Sequence, residues 1–112
     1  MLSSIHKMSS YSKFKWLPLK EVVSHEAEAK RLGVSVIARS PRGFLTAYKN
    51  VNGDRGKMSE SKVPGRRTYW DKERHSFISR TLGQYNKKKT LRRWLSLVMW
   101  AYKPPGDRPE FS

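Results

Sequence analysis

Apolar residues recur along much of this chain with the period of a helix, and that period predicts four helices. The most pronounced covers 90–102, where Leu91, Trp94, Leu95, Val98 and Tyr102 recur at the spacing of a face packed into a core. Leu97, Met99 and Trp100 add apolar side chains on its other faces, so this helix is expected to be central and covered. Thr90 is its expected N-cap, with a side-chain oxygen able to accept from the N–H groups of the next turn. Pro104-Pro105-Gly106 is its expected stop.

Upstream, Leu19, Val22, Val23, Ala27, Ala29 and Leu32 form a stripe over 19–32, with Pro18 suited to the helix start and Gly33 to its end. The run Ala29 to Val36 has the look of the first helix and turn of a helix-turn-helix. The segment after Val36 departs from that motif, because Pro41 would interrupt a recognition helix and Arg39 falls where an apolar side chain is needed. The pattern predicts instead a short turn at 35–39. Ser40 then caps, and Pro41 opens, a helix through about Lys49 that buries Phe44, Leu45 and Tyr48. Residues 50–67 are expected to be a long basic loop, rich in Asn and Gly. Thr68 is expected to cap a helix over 69–84 carrying Trp70, Phe77, Ile78, Leu82 and Tyr85, with Asp71 and Glu73 matched to its dipole.

The expected architecture is therefore all-α: one small domain of about four helices over 17–104, a basic arm at 1–16 and a tail at 105–112. Only 37% of the residues are apolar, but four Trp and four Phe supply rigid packing area for a small core. The arm contains no acid, and neither does 29–53. A mitochondrial transit peptide is a competing reading of 1–16, weakened by the absence of arginine and a poor apolar face.

Charge changes the picture most. The formal net charge is +15, from 24 Lys and Arg against 9 Asp and Glu. Self-repulsion on that scale calls for an acidic partner, and nucleic acid is the obvious one because phosphate binding is driven by counterion release. Residues 74–106 hold eight cations and no acid. Five of them, Lys87, Lys88, Lys89, Arg92 and Arg93, crowd the start of the 90–102 helix, where the dipole favours acids. A phosphate there would meet free N–H groups, dipole and side-chain charge together, so these residues and Thr90 are a candidate anion site. A solvated basic turn is the plain alternative.

Arg66, Arg67, Arg39 and Arg42 are further candidate backbone contacts, as are Lys13 and Lys15 in the arm. Tyr11, Phe14, Trp16 and Tyr69 lie among these cations, a pattern suited to stacking on single-stranded bases. Trp70 and Trp94 are assigned to the core.

Catalytic chemistry finds no footing. There is no cysteine, and neither a phosphate-binding GxxxxGK[ST] loop nor a GxGxxG fingerprint occurs. His6, His25 and His75 lack metal-site spacing. Asp71 and Glu73 would point about 200° apart on a helix, so they do not converge with His75. No apolar run reaches the ~18 residues that span a bilayer. Expected, then, is a non-enzymatic protein without cofactor, small-molecule substrate or membrane.

Three blocks carry a resemblance: Val36-Ile-Ala-Arg-Ser-Pro-Arg-Gly-Phe-Leu-Thr-Ala-Tyr-Lys49, Trp70 with Arg74, Phe77, Ile78 and Arg80, and Thr90-Leu-Arg-Arg-Trp-Leu-Ser-Leu-Val-Met-Trp-Ala-Tyr-Lys-Pro104. Over roughly 30–104 they resemble a family of small basic domains of unknown function from phages and large DNA viruses. The resemblance implies one domain and a viral origin, and no activity. Taken together, the expectation is a nucleic-acid-binding protein making mainly phosphate-backbone contacts, with DNA preferred to RNA, in packaging, replication or transcription. Its place would be the virion or the host cell interior. The alternative is a minor structural or accessory protein of a virion or other large assembly, with tails held by neighbouring viral structural proteins.

Overall fold

The computed structural model describes residues 14–111. Among them are six helices and no strand: α1 (Leu19–Ser24), α2 (Glu26–Arg31), α3 (Phe44–Asn50), α4 (Arg55–Met58), α5 (Trp70–Lys87) and α6 (Leu91–Val98). The all-α architecture agrees with the hydrophobic pattern; the number of helices does not.

The expected 19–32 helix is two helices. Ser24 Oγ donates back to Glu21 O at 2.6 Å, and His25 sits between α1 and α2 with its ring edge-on to Trp94, centroids 5.2 Å apart. A side chain bonding into its own helix competes with the regular ladder, and α1 stops there. Gly33 ends α2 as expected. Its φ of 68° lets Val34 N–H reach back to Ala29 O and Gly33 N–H to Lys30 O.

Ser40 and Pro41 do not start a helix. Ser40 Oγ donates to Ile37 O, so it closes the preceding turn, and α3 begins three residues after Pro41, at Phe44. Gly43 is the reason for that start: a Cβ there would lie 2.1 Å from Ile37 O. The expected loop over 50–67 is largely folded. Asp54 caps α4 by accepting from Lys57 N–H, Met58 is buried, and Lys62 pairs with Tyr69 in an antiparallel bridge. Thr68 is not a cap, since α5 starts from Tyr69 without a side-chain cap, and Thr68 O accepts from Val63 N–H.

The last helix is shorter than its apolar pattern. α6 closes through Ala101, held at φ 61°, with Tyr102 N–H on Leu97 O and Ala101 N–H on Val98 O. Glycine usually takes that left-handed position. Alanine holds it here because the residue is fully buried and its carbonyl accepts from both Leu17 N–H and Arg74 Nη2.

The core is aromatic. Trp100 is stacked between Phe44 and Phe77, with centroids 4.6 and 4.5 Å away, and Trp70 meets both Phe44 and Trp100 edge-on. Leu95, Leu97, Val98, Met99 and Ile78 fill the rest of it. Among the described residues, one charge lies inside. Arg74 is fully buried, donating from Nε to Trp100 O, from Nη1 to Phe14 O, and from Nη2 to Lys15 O and Ala101 O, all at 2.8–3.0 Å. Its guanidinium lies 4.0 Å over the Trp16 ring. Residues 14–16 of the expected arm are thus packed onto the domain, and residues 1–13 lie outside the described residues.

Candidate nucleic-acid interface

Most of the candidate cations fall into two groups, one near each end of α5. That helix has 18 residues, a length of about 27 Å at 1.5 Å per residue.

At its C-terminal end, three helix termini meet. Lys87, the last residue of α5, and Lys88 and Lys89 on the link to α6 are exposed. Arg93 Nη1 donates to Gln84 O and Lys88 O at 3.0 Å each, and Arg92 Nη1 donates to Leu32 O at 2.7 Å, just past the end of α2. The two arginines that oppose the dipole of α6 therefore sit on carbonyls at the C-terminal ends of α5 and α2, where positive charge is favoured. That explains a placement which looks wrong along α6 alone. Lys30 and Arg31, from the last turn of α2, adjoin this group, and Arg31 leans 3.7 Å from Glu28.

The N–H groups of α6 are less available than the sequence suggests. Thr90 caps as expected, its oxygen accepting from Arg93 N–H at 3.2 Å, and Leu91 N–H donates to Phe111 O in the tail at 2.6 Å. Any anion here would meet side-chain charge far more than an open helix terminus.

The second group lies toward the start of α5. Arg66 and Arg67 are exposed, and Arg66 pairs with Glu73 at 3.3 Å. Arg42 reaches the same place, for a Cβ added at Gly65 would stand 3.3 Å from its Nη2. Arg39 is half-buried and bonds Val34 O through Nε, bracing the link between α2 and α3. Lys15 is exposed while its carbonyl holds Arg74; Lys13 and Tyr11 lie outside the described residues.

The aromatic candidates separate. Phe14 is buried against His75 and Tyr102, and Trp16 packs against Phe44 and Tyr48, so both belong to the core. Trp70 and Trp94 are buried, as assigned. Tyr69 remains at the surface beside Arg67.

A cleft of about 300 Å³ lies where α1, α6 and the tail meet, lined by His25, Trp94, Glu21, Lys103, Asp107 and Arg108 among others. Its charges are of both signs, and Arg108 is already paired with Glu28. Burial, with the Arg108 charge second, holds His25 below its ordinary value of 6.5, so the ring adds no charge at neutral pH. The cleft is thus a poorer place for a polyanion than the exposed lysines. Among the described residues, no group of three or more His, Cys, Asp or Glu could hold a metal ion, and no helix is long and apolar enough to cross a membrane.

Two features were not anticipated from the sequence. Arg74 lies four residues from both Trp70 and Ile78, on the inward stripe of α5, and a charge on that stripe was the available signal. Lys30 and Arg31 gave none, because their neighbour Arg92 is some sixty residues away along the chain. No family model, no curated protein and no solved structure matches this chain.

Proposed function

We propose that this protein binds nucleic acid without catalysis, gripping the phosphate backbone through the cations gathered where α2, α5 and α6 meet. One observation carries the reading. Lys87, Lys88 and Lys89 stand exposed beside Arg92 and Arg93, whose guanidiniums are fixed in place by helix-end carbonyls, within a stretch of chain that contains no acid over 74–106. Fixed cations lose little freedom when a phosphate arrives, and the exposed lysines add charge and counterion release. Such contacts position a duplex without reading its sequence. DNA is preferred to RNA, and the resemblance to viral basic domains suggests a packaging, replication or transcription setting in a virion or infected cell.

The test is salt-titrated binding to duplexes of unrelated sequence, with single-stranded DNA and RNA alongside. Binding to every duplex and a steep log–log salt slope are expected. Binding that ignores salt would refute the reading.

A second reading, an accessory component of a virion or other assembly, is favoured by Phe111, which is 82% exposed in a tail that otherwise docks on α6. Retention by a viral structural protein but not by DNA would select it.

A further inference from the structure

The link between α2 and α3 has a property that backbone binding does not require. Val36 and Ile37 stand at its tip with 59% and 78% of their surface exposed, two large aliphatic side chains side by side in solvent. The tip is not a loose strand of chain. Arg39 N–H bonds Ser35 O, Ser40 N–H and Oγ both bond Ile37 O, Gly43 N–H bonds Ser40 O, and Leu45 N–H bonds Ala38 O. Arg39 Nε on Val34 O and Thr46 Oγ1 on Ser40 O brace it from either side. Ser35 holds φ 55°, and Gly43 lies so close beneath that no Cβ fits. A stiff turn that holds two apolar side chains out in solvent is a surface that a partner can cover.

Charge says what the cover is. Residues 29–53 contain no acid, so the tip rises from wholly basic chain. One foot of the loop is Leu32, whose carbonyl takes Arg92 of the first cation group; its far side carries Arg42, which lies against Gly65 beside Arg66 and Arg67 of the second. The apolar tip thus lies on the chain between Leu32, which touches the first group, and Arg42, which reaches the second. Rigid aliphatic side chains flanked by cations are the tool with which architectural proteins unstack a base step and bend DNA.

We propose that Val36 and Ile37 form a wedge that enters a duplex between two base pairs and kinks it, while the cation groups on either side hold the flanking phosphates. The proposal rests on the backbone-binding reading and deepens it, making bent duplex DNA the preferred ligand. Because pyrimidine–purine steps unstack most easily, a central TA step should be favoured over a stiff A-tract.

The experiment is end-to-end energy transfer on a short duplex with a central TA step, run with the full chain, with a Val36→Ser/Ile37→Ser variant, and with Val23→Ser as a control at an exposed valine on α1. The wild type and the control should bend the duplex by on the order of 20–90°. The double variant should return it to the free-DNA distance while keeping the wild-type salt slope, since neither side chain carries charge. Equal bending by the double variant overturns the wedge. A straight duplex bound by the wild type with a steep salt slope also overturns it, leaving backbone binding intact and pointing to an acidic protein surface as the cover for the tip. Absence of salt-dependent binding by the wild type overturns both.

Discussion

Arg74→Met should cost roughly 2–5 kcal/mol, because buried carbonyls lose their donor at about 1–3 kcal/mol each, partly offset by no longer burying the charge. The side chain is fully buried and donates to four backbone carbonyls in two segments that close the core, Phe14 and Lys15 in one and Trp100 and Ala101 in the other. Each charge-assisted bond contributes about 1.5–3 kcal/mol. Against their sum stands the desolvation of the guanidinium, several kcal/mol. Burial pushes Arg74 down to about 9, with the nearby Tyr48 and Tyr102 hydroxyls opposing the shift, so it is still charged at neutral pH and does bear that penalty. Methionine keeps the apolar stem and removes this donor from the Phe14, Lys15 and Trp100 carbonyls, while Ala101 O keeps Leu17 N–H. A domain of this size has about 5–15 kcal/mol of stability in all, so the loss should be plain in urea denaturation monitored by tryptophan fluorescence and far-ultraviolet circular dichroism. If the guanidinium were only filling space, methionine would be neutral or stabilising. A change below about 1 kcal/mol would therefore refute the assignment of Arg74 as the clasp of the N-terminal segment.

The same packing has other consequences. Deleting residues 1–16 should lower the thermal midpoint of the domain sharply by removing Phe14, Trp16 and two of the carbonyls on Arg74; an unchanged midpoint would show that this segment does not hold the core. Trp94→Ala should cost about 3–5 kcal/mol in denaturant titration, since that side chain is 3% exposed at the heart of α6. His25, held below 6.5 by burial and Arg108 and faced also by Glu28, Glu21 and Lys103, binds its proton less readily folded than unfolded. Its contribution to stability is therefore intact above 6.5, declines as pH falls through that value, and is gone below the depressed folded value. His25→Gln should flatten this part of the stability–pH curve, and an unchanged curve would show that other groups set it.

The periodic parts of the chain were legible because a buried face leaves its spacing in the sequence: α5 and α6 could be located from Trp70, Ile78, Leu91 and Trp94 alone. Their ends were less so. The stop of α6 depends on Ala101 adopting a left-handed conformation, and alanine carries no sign of it; the reason lies in two long-range bonds to its carbonyl. Ser40-Pro41 reads as a helix start by every local rule, yet the close approach of Gly43 to Ile37 O delays α3. The candidate site shows the same division. Lys87–Lys89 needed no tertiary information, but Arg92 and Arg93 did: unfavourable against α6, they are favourable against the carbonyl ends of α2 and α5. Replacing those two arginines should consequently weaken the fold, the opposite of the relief from repulsion that the dipole of α6 alone predicts.

The most direct test of phosphate binding at this junction avoids those two residues. Lys87, Lys88 and Lys89 are exposed, so replacing all three with Gln leaves the carbonyl-bound arginines in place. Duplex affinity of this variant and of the wild type should be measured across a range of salt concentrations, on two unrelated sequences. The predicted result is a loss of affinity equal for both sequences and a log–log slope shallower by about 0.9 for each phosphate that the variant no longer holds. A slope identical to that of the wild type would contradict the assignment of this junction as the nucleic-acid interface.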